Sequence, residues 1–351
     1  MSERLRAAFR SQAKSCAQLG SPFMGAWCQL MAERLAPGDP VSDRLLDWSG
    51  DVTSAGQSVP LRLAGAVHAL VLAGRAPDLA ASYPPTAFAP DAIWRATMAA
   101  FETETDWLMA WLDSAPQTNE VRRSVALMTG ALILSERFGL PFVLSELGAS
   151  AGLNLHFDRY CLEVNGARFG ATDSPVRLMP DWQGPMPPNA DLHIADRAGV
   201  DLNPLDPKDA DDHLRLMAYI WPDQPDRAAL TQHAIALSSA QVKKGDAASW
   251  LGERLSAARH GHLHLVTHSV AWQYFPTETQ KACLAYLDHA AAHAKPQSPL
   301  ARLSMEADDI PGSAALCLQV WDGEHHQGAV DTLARVDFHG RALSFDEPSK
   351  L

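Results

Sequence analysis

Glu146-x-Gly148-x-Ser150-x-Gly152 is the run in which residue types and spacing most clearly allow chemistry. Small residues from Gly148 to Gly152 let a backbone approach a ligand closely, and glycine supplies the left-handed conformations a tight turn needs. Phe142-Val143-Leu144 just before it predicts a buried strand. Leu153 onward predicts a helix whose first N–H groups point back over the turn. Glu146, at the strand end, is placed to accept hydrogen bonds from an amine or hydroxyl. The same glycine spacing also suits a serine nucleophile raised on a strand-to-helix turn, with Ser150 as that serine. Taken alone, the run is open between a cofactor cradle and a nucleophile.

Further along, three short apolar runs end in polar residues. Val200-Asp201-Leu202-Asn203-Pro204 and Gly245-Asp246-Ala247 each place an acid where a strand stops. Thr267-His268-Ser269-Val270 closes a third strand and runs into Ala271-Trp272-Gln273-Tyr274. His268, and after it Tyr274, are candidates to take a proton from a reacting group. Each residue has a plainer reading: Asp246 as a helix cap, His268 as a histidine satisfied in the core, Tyr274 and Trp272 as packing. Asn154, Arg159 and Tyr160 follow the turn closely, Arg159 as a carboxylate clamp or a structural ion pair.

The elements that must position these residues fall into two parts. Residues 1–139 read as helices, with stripes such as Leu5, Phe9, Ala13 and Cys16, and no convincing strand alternation. Residues 140–351 alternate strands and helices and then end in consecutive strands at 300–306, 315–321 and 332–338. Asn165-Gly166 predicts a β-hairpin near 160–170, followed by a proline-rich excursion to about 190. The expected fold is therefore α/β, an all-helical domain followed by a doubly wound sheet with an antiparallel hairpin at its edge.

Bulk properties narrow the function classes. A net charge of −12 and only two basic doublets, Arg122-Arg123 and Lys243-Lys244, speak against a nucleic-acid partner. The charged start and the lack of a long apolar run predict neither a secretory signal nor a membrane span, hence a cytoplasmic protein. Five scattered cysteines without paired spacing fit reduced thiols. His260, His262 and His264 alternate on one strand face, and His289 and His293 sit four apart on a helix. Neither set has a metal-site spacing, and the helical pair reads as solvated surface. Asp206, Asp209, Asp211 and Asp212 lack the central glycine of a calcium loop and suit the positive end of a helix. No metal is expected.

In their order, the segments from 141 resemble the class I S-adenosylmethionine-dependent methyltransferases. The turn at 146–152 resembles their first motif, although Ser150 stands where the family has its middle glycine. The resemblance implies a Rossmann-type fold binding S-adenosylmethionine through Glu146, Gly148, Ser150, Gly152 and Asn154. It further implies Asp201 and Leu202 at the ribose, Asp246 and Ala247 at the adenine, and His268 and Ser269 facing the methyl donor. The interval from Glu146 to Asp201 is far above the ~20 residues of the dinucleotide fingerprint, and no Asn/Asp-Pro-Pro-aromatic motif follows strand four. The implied activity is methyl transfer to a small-molecule acceptor; the alternatives are a Ser150 hydrolase and a cofactor-binding protein without catalysis.

Nearly the whole chain also resembles a bacterial family, domain of unknown function 2332. The carrying segments are PLRLAGAVHALVLAG (60–74), SELGASAGLNLHFDRY (145–160), VDLNPLD (200–206), WPDQ (221–224) and GDA (245–247). That resemblance implies one continuous architecture and no particular reaction.

Overall fold

The computed structural model describes residues 3–239 and 242–345. Residues 240 and 241, a few residues before Gly245-Asp246-Ala247, lie outside the described residues. The chain divides into two compact units, Met1–Thr118 with Pro207–Ala229, and Asn119–Asp206 with Leu230–Leu351. This division differs from a single cut at 139 on both sides, for reasons visible in the packing.

The first unit is helical because its apolar residues recur at helical spacing and close on one core. Leu5, Phe9, Trp27, Met31, Leu63 and Phe101 are fully buried in it, each contributing roughly 1.5–3 kcal/mol by leaving water. The helix Ala210–Ala218 belongs here because Gly65 leaves room for the residue that follows it. A Cβ on Gly65 would lie 2.3 Å from the Tyr219 ring. His68 Nδ1 also bonds the Ala218 carbonyl at 3.0 Å, and burial drives its pKa down to about 4. Arg62 donates to the carbonyls of Gln57 and Leu112 at 2.7 and 3.0 Å. The WPDQ segment has a structural task too: Asp223 accepts from Ser21 Oγ and, at 2.9 Å, from Phe23 N, fixing the start of the helix Pro22–Arg34. Asp209 caps Ala210–Ala218 by accepting from Asp211 N and Asp212 N, as acids before a helix should.

The second unit is built on strands β1 (Phe142–Leu147), β2 (Cys161–Val164), β3 (Ala167–Gly170), β4 (Arg177–Leu178), β5 (Asp181–Gln183) and β6 (Ile194–Asp201). It continues with β7 (Val242–Lys244), β8 (Leu263–Ser269), β9 (Leu300–Ala307), β10 (Ala314–Trp321), β11 (Asp331–Val336) and β12 (Ala342–Ser344). Nine of these form one mostly parallel sheet in the order β5-β12-β11-β10-β9-β8-β1-β6-β7. β7, β6, β1, β8 and β9 run parallel, and the chain order reverses between β1 and β8. β9 to β12 then continue as an antiparallel meander, longer than the expected terminal hairpin and extended by β5 alongside β12. The Asn165-Gly166 turn joins β2 and β3 as expected, with β4 completing a small separate sheet.

β1 is buried along its whole length, the pattern of a central parallel strand covered on both faces. The helices Ala247–Arg254 and Thr277–Ala291 bring Trp250, Leu251, Cys283 and Leu287 onto the sheet. The helix Ser124–Phe138 groups with the sheet because Gly130 admits Leu303 of β9; a Cβ there would lie 2.4 Å from Leu303 Cδ1. The helix expected from Leu153 is not an α-helix. Leu153–Arg159 forms 3-10 turns with a break at His156. Its carbonyls are taken by other donors: Gly152 O by Leu155 N and His156 Nδ1, Leu153 O by the Tyr160 hydroxyl at 2.6 Å. All five cysteines are free thiols. Among the described residues no helix is long and apolar enough to cross a membrane.

Candidate functional site

In an open parallel sheet, ligands bind outside the carboxyl ends of the strands where the chain order reverses. Here that point lies between β1 and β8, and the run 146–152 sits on it. Gly148, Ser150 and Gly152 have φ of +69°, +52° and +70°. On the neighbouring strand end Val270 has φ of +50°, a left-handed conformation that costs a β-branched residue energy. Two non-glycine residues in left-handed backbone therefore flank the switch point. Gly148 has a second constraint, since a Cβ there would lie 2.6 Å from that of Ala271.

The amides of Gly148, Ala149, Ser150 and Gly152 are bonded within the protein, contrary to the expectation that they point at a ligand. Gly148 N and Ala149 N donate to Val200 O at 2.9 and 3.0 Å, and Gly152 N to Ala149 O at 2.8 Å. Ser150 N donates to Asp201 Oδ2 at 2.9 Å and Leu153 N to Asn119 Oδ1 at 2.8 Å. Asp201 takes Asn203 N at 2.8 Å on its other oxygen, so β6 ends by clamping the turn of β1. Asn154 accepts from Ser124 Oγ at 2.8 Å and donates to Glu120 O at 3.3 Å. Its role is to tie the turn to the segment before Ser124–Phe138, a partnership with no signal in the sequence.

What the turn leaves uncommitted are side-chain oxygens. Glu146 Oε2 and Ser150 Oγ are buried without a hydrogen-bond partner. Burial, reinforced by the nearby Asp201 and opposed by Arg123, raises the Glu146 pKa to about 8. Glu146 is therefore largely protonated at neutral pH, an O–H donor beneath the turn. No histidine is bonded to Ser150 Oγ among the described residues, so the serine lacks the paired base a nucleophile needs. Leu202, beside Asp201, is 60% exposed.

The end of β8 is closed by a network that the sequence did not disclose. His268 Nδ1 donates to Glu306 Oε1 at 2.7 Å, and Arg302 Nε donates to His268 Nε2 at 3.1 Å. Glu306 Oε1 also accepts from Ala271 N and Trp272 N at 3.1 and 3.2 Å. The His268 ring stacks on Trp272 at 4.9 Å, and Arg302 lies 4.5 Å over the same indole. Burial lowers the His268 pKa, against the pull of Glu306. Burial raises the Glu306 carboxyl, but the His268 hydrogen bond and the two amides hold it below its ordinary value. With both ring nitrogens engaged, His268 is a structural hub, and the base role expected from its position has no free lone pair to act through. Ser269, also buried, accepts from Arg123 Nη1 at 3.2 Å through its carbonyl. Tyr274 is 58% exposed on the 3-10 turn Trp272–Tyr274.

Asp246 ends β7 as the cap of Ala247–Arg254, accepting from Ser249 N at 3.0 Å and Thr279 Oγ1 at 3.3 Å. Ala247, expected beside it at an adenine, is buried as the first residue of that helix. Arg159 donates to Leu237 O at 2.9 Å. The structure thus joins Glu146, Gly148, Ser150, Gly152 and Asp201 into one unit, while Asp246 and His268 end neighbouring strands with their polar atoms in local structure. Among the described residues no group of three or more His, Cys, Asp or Glu side chains is placed to hold a metal ion.

The family model described as "Uncharacterized protein conserved in bacteria (DUF2332)" matches residues 6–345. Neither the curated proteins nor the solved structures contain a match.

Proposed function

For this chain, which belongs to the bacterial family of domain of unknown function 2332, we propose binding of S-adenosylmethionine at the β1 turn and methyl transfer to a small-molecule acceptor. The observation that carries the reading is the pair of buried, unpartnered oxygens at the strand switch point, Glu146 Oε2 and Ser150 Oγ. Buried polar atoms are rarely left unmatched, and an acid-lined site suits a ligand bearing an ammonium and a sulfonium.

The donor set fits the cofactor in parts. Glu146 and Ser150 would take its amino-acid moiety, Asp201 would stand at the ribose, and exposed Leu202 would give apolar surface to the base. When bound, S-adenosylmethionine supplies a methyl group already activated by the sulfonium charge. The chain's own contribution is then orientation, held by the clamp of Asp201 on Ser150 N and by the strained Val270 link after β8. Tyr274 is the exposed side chain able to take a proton from the acceptor, His268 being held by Glu306 and Arg302.

Calorimetry on the purified chain tests this. S-adenosylmethionine and S-adenosylhomocysteine should bind, with release of up to one proton from Glu146 at pH 7, read from the dependence of the heat on buffer ionisation. Glu146→Gln should abolish the proton release. Absence of binding by either compound to folded protein would overturn the reading, as would covalent fluorophosphonate labelling lost in Ser150→Ala. The full engagement of His268 favours, second, a protein that binds the cofactor without turnover. Methyl transfer from labelled cofactor into a cell extract separates that from an enzyme.

A further inference from the structure

At the opposite, amino-terminal ends of β1, β8 and β9 a cavity of about 270 Å³ opens. Val143, Leu255 and Leu300 give it apolar walls, and Arg259, His262, His264, His289 and His293 also line it. No Asp or Glu is among the described residues lining it, although the chain carries a net charge of −12. Residues that the sequence spreads over a strand and a helix, including the pair read as solvated surface, meet here.

A hydrogen-bonded chain ends on the cavity's His264. Arg254 Nε donates to Ser145 Oγ at 3.1 Å, and a guanidinium cannot accept. The Ser145 hydroxyl is also bonded to His264 Nε2, 2.9 Å away, which engages that ring nitrogen within the protein. Arg254 is itself anchored on Asp196 Oδ2 at 2.6 Å, which makes the arrangement a fixed chain from β6 through β1 to β8. Burial, with Arg254 nearby, lowers the His264 pKa to about 4, consistent with a neutral ring. His262 and His293 are oriented by their own Nδ1 bonds to the carbonyls of His260 and His289, each at 3.0 Å.

We propose that this cavity binds a small organic anion, its carboxylate or phosphate headgroup held by Arg259 and the His264 ring and its apolar body against Val143, Leu255 and Leu300. Arginine recognises both headgroups through paired N–H donors. The site is separate from the β1 turn, and its test does not depend on the cofactor reading.

Titration calorimetry of the full chain with hexanoate, phenyl phosphate and 1-hexanol decides it. At least one anion should saturate a single site, and hexanol, of similar apolar body, should bind at least about tenfold more weakly; a charge-assisted hydrogen bond supports a ratio of that order. Arg259→Gln, at an exposed position, should weaken the anion about tenfold while leaving thermal unfolding unchanged. Ala257→Trp, which fills the cavity from its exposed side, should block binding. The proposal falls if neither anion saturates, if hexanol binds as tightly, or if Arg259→Gln leaves the affinity unchanged. The relative affinities of hexanoate and phenyl phosphate identify the headgroup.

Discussion

His264 and His268 lie on the same strand, two pleat repeats apart, yet they have opposite resources. His268 has both nitrogens committed, to Glu306 and to Arg302. His264 has Nε2 bonded to Ser145, and its ring lines the cavity. The lesson is that closeness to the carboxyl end of a parallel strand does not make a histidine reactive. What matters is how many hydrogen-bond partners the fold supplies, because a ring with two partners can neither accept nor give a proton without breaking one.

Removing the partner that closes His268 should break the comparison most forcefully. Glu306→Ala strands the His268 Nδ1–H and the amides of Ala271 and Trp272 in a buried place, and should cost about 3–5 kcal/mol in urea unfolding. A loss below about 1 kcal/mol would show that the network is not a hub.

Glu146 gives the next largest effect, and its sign follows from proton counting. Between about pH 4.5 and pH 8 the unfolded chain has lost this proton while the folded chain keeps it. The folded state binds more protons there, so the contribution of Glu146 to stability is full below 4.5 and is lost as pH rises through 8. Glu146→Gln should unfold with wild-type stability near pH 4 and be more stable at pH 9, by on the order of a few kcal/mol. A constant offset across that range would contradict the raised pKa.

At the amino end, Ser145→Ala removes the hydroxyl between Arg254 and His264 and should cost about 1–2 kcal/mol. It also deletes the hydroxyl bonded to His264 Nε2, so the ring's ¹⁵N shifts should change while those of His268 stay put. Equal changes at both rings would erase the distinction between them. Smallest of all, Tyr274→Phe at an exposed position should change stability by no more than about 0.5 kcal/mol. Any turnover found should fall clearly in that variant, and an unaffected rate would remove Tyr274 from the chemistry.

Much of the frame was legible because it depends on neighbours in sequence. The buried strand Phe142–Leu147 follows from its apolar run, the hairpin from Asn165-Gly166, and the capping by Asp246 from an acid directly before a helix. The helix expected from Leu153 failed because His156 and Tyr160 turn back on the carbonyls such a helix would use. The terminal hairpin became a meander because β12 found β5, a strand hidden in the proline-rich stretch.

By itself the sequence determined where strands stop, which residues are small enough for a left-handed turn, and that an acid stands at the end of β6. Those properties rest on backbone sterics and local periodicity, which act over a few residues. Only the tertiary structure decided what those polar groups hold. Asp201 spends its carboxylate on Ser150 N and Asn203 N, Glu306 reaches His268 from a neighbouring strand, and Ser145 bonds His264. A hydrogen bond forms within about 3 Å in space whatever the separation in sequence, so the commitment or freedom of a donor is a property of the fold.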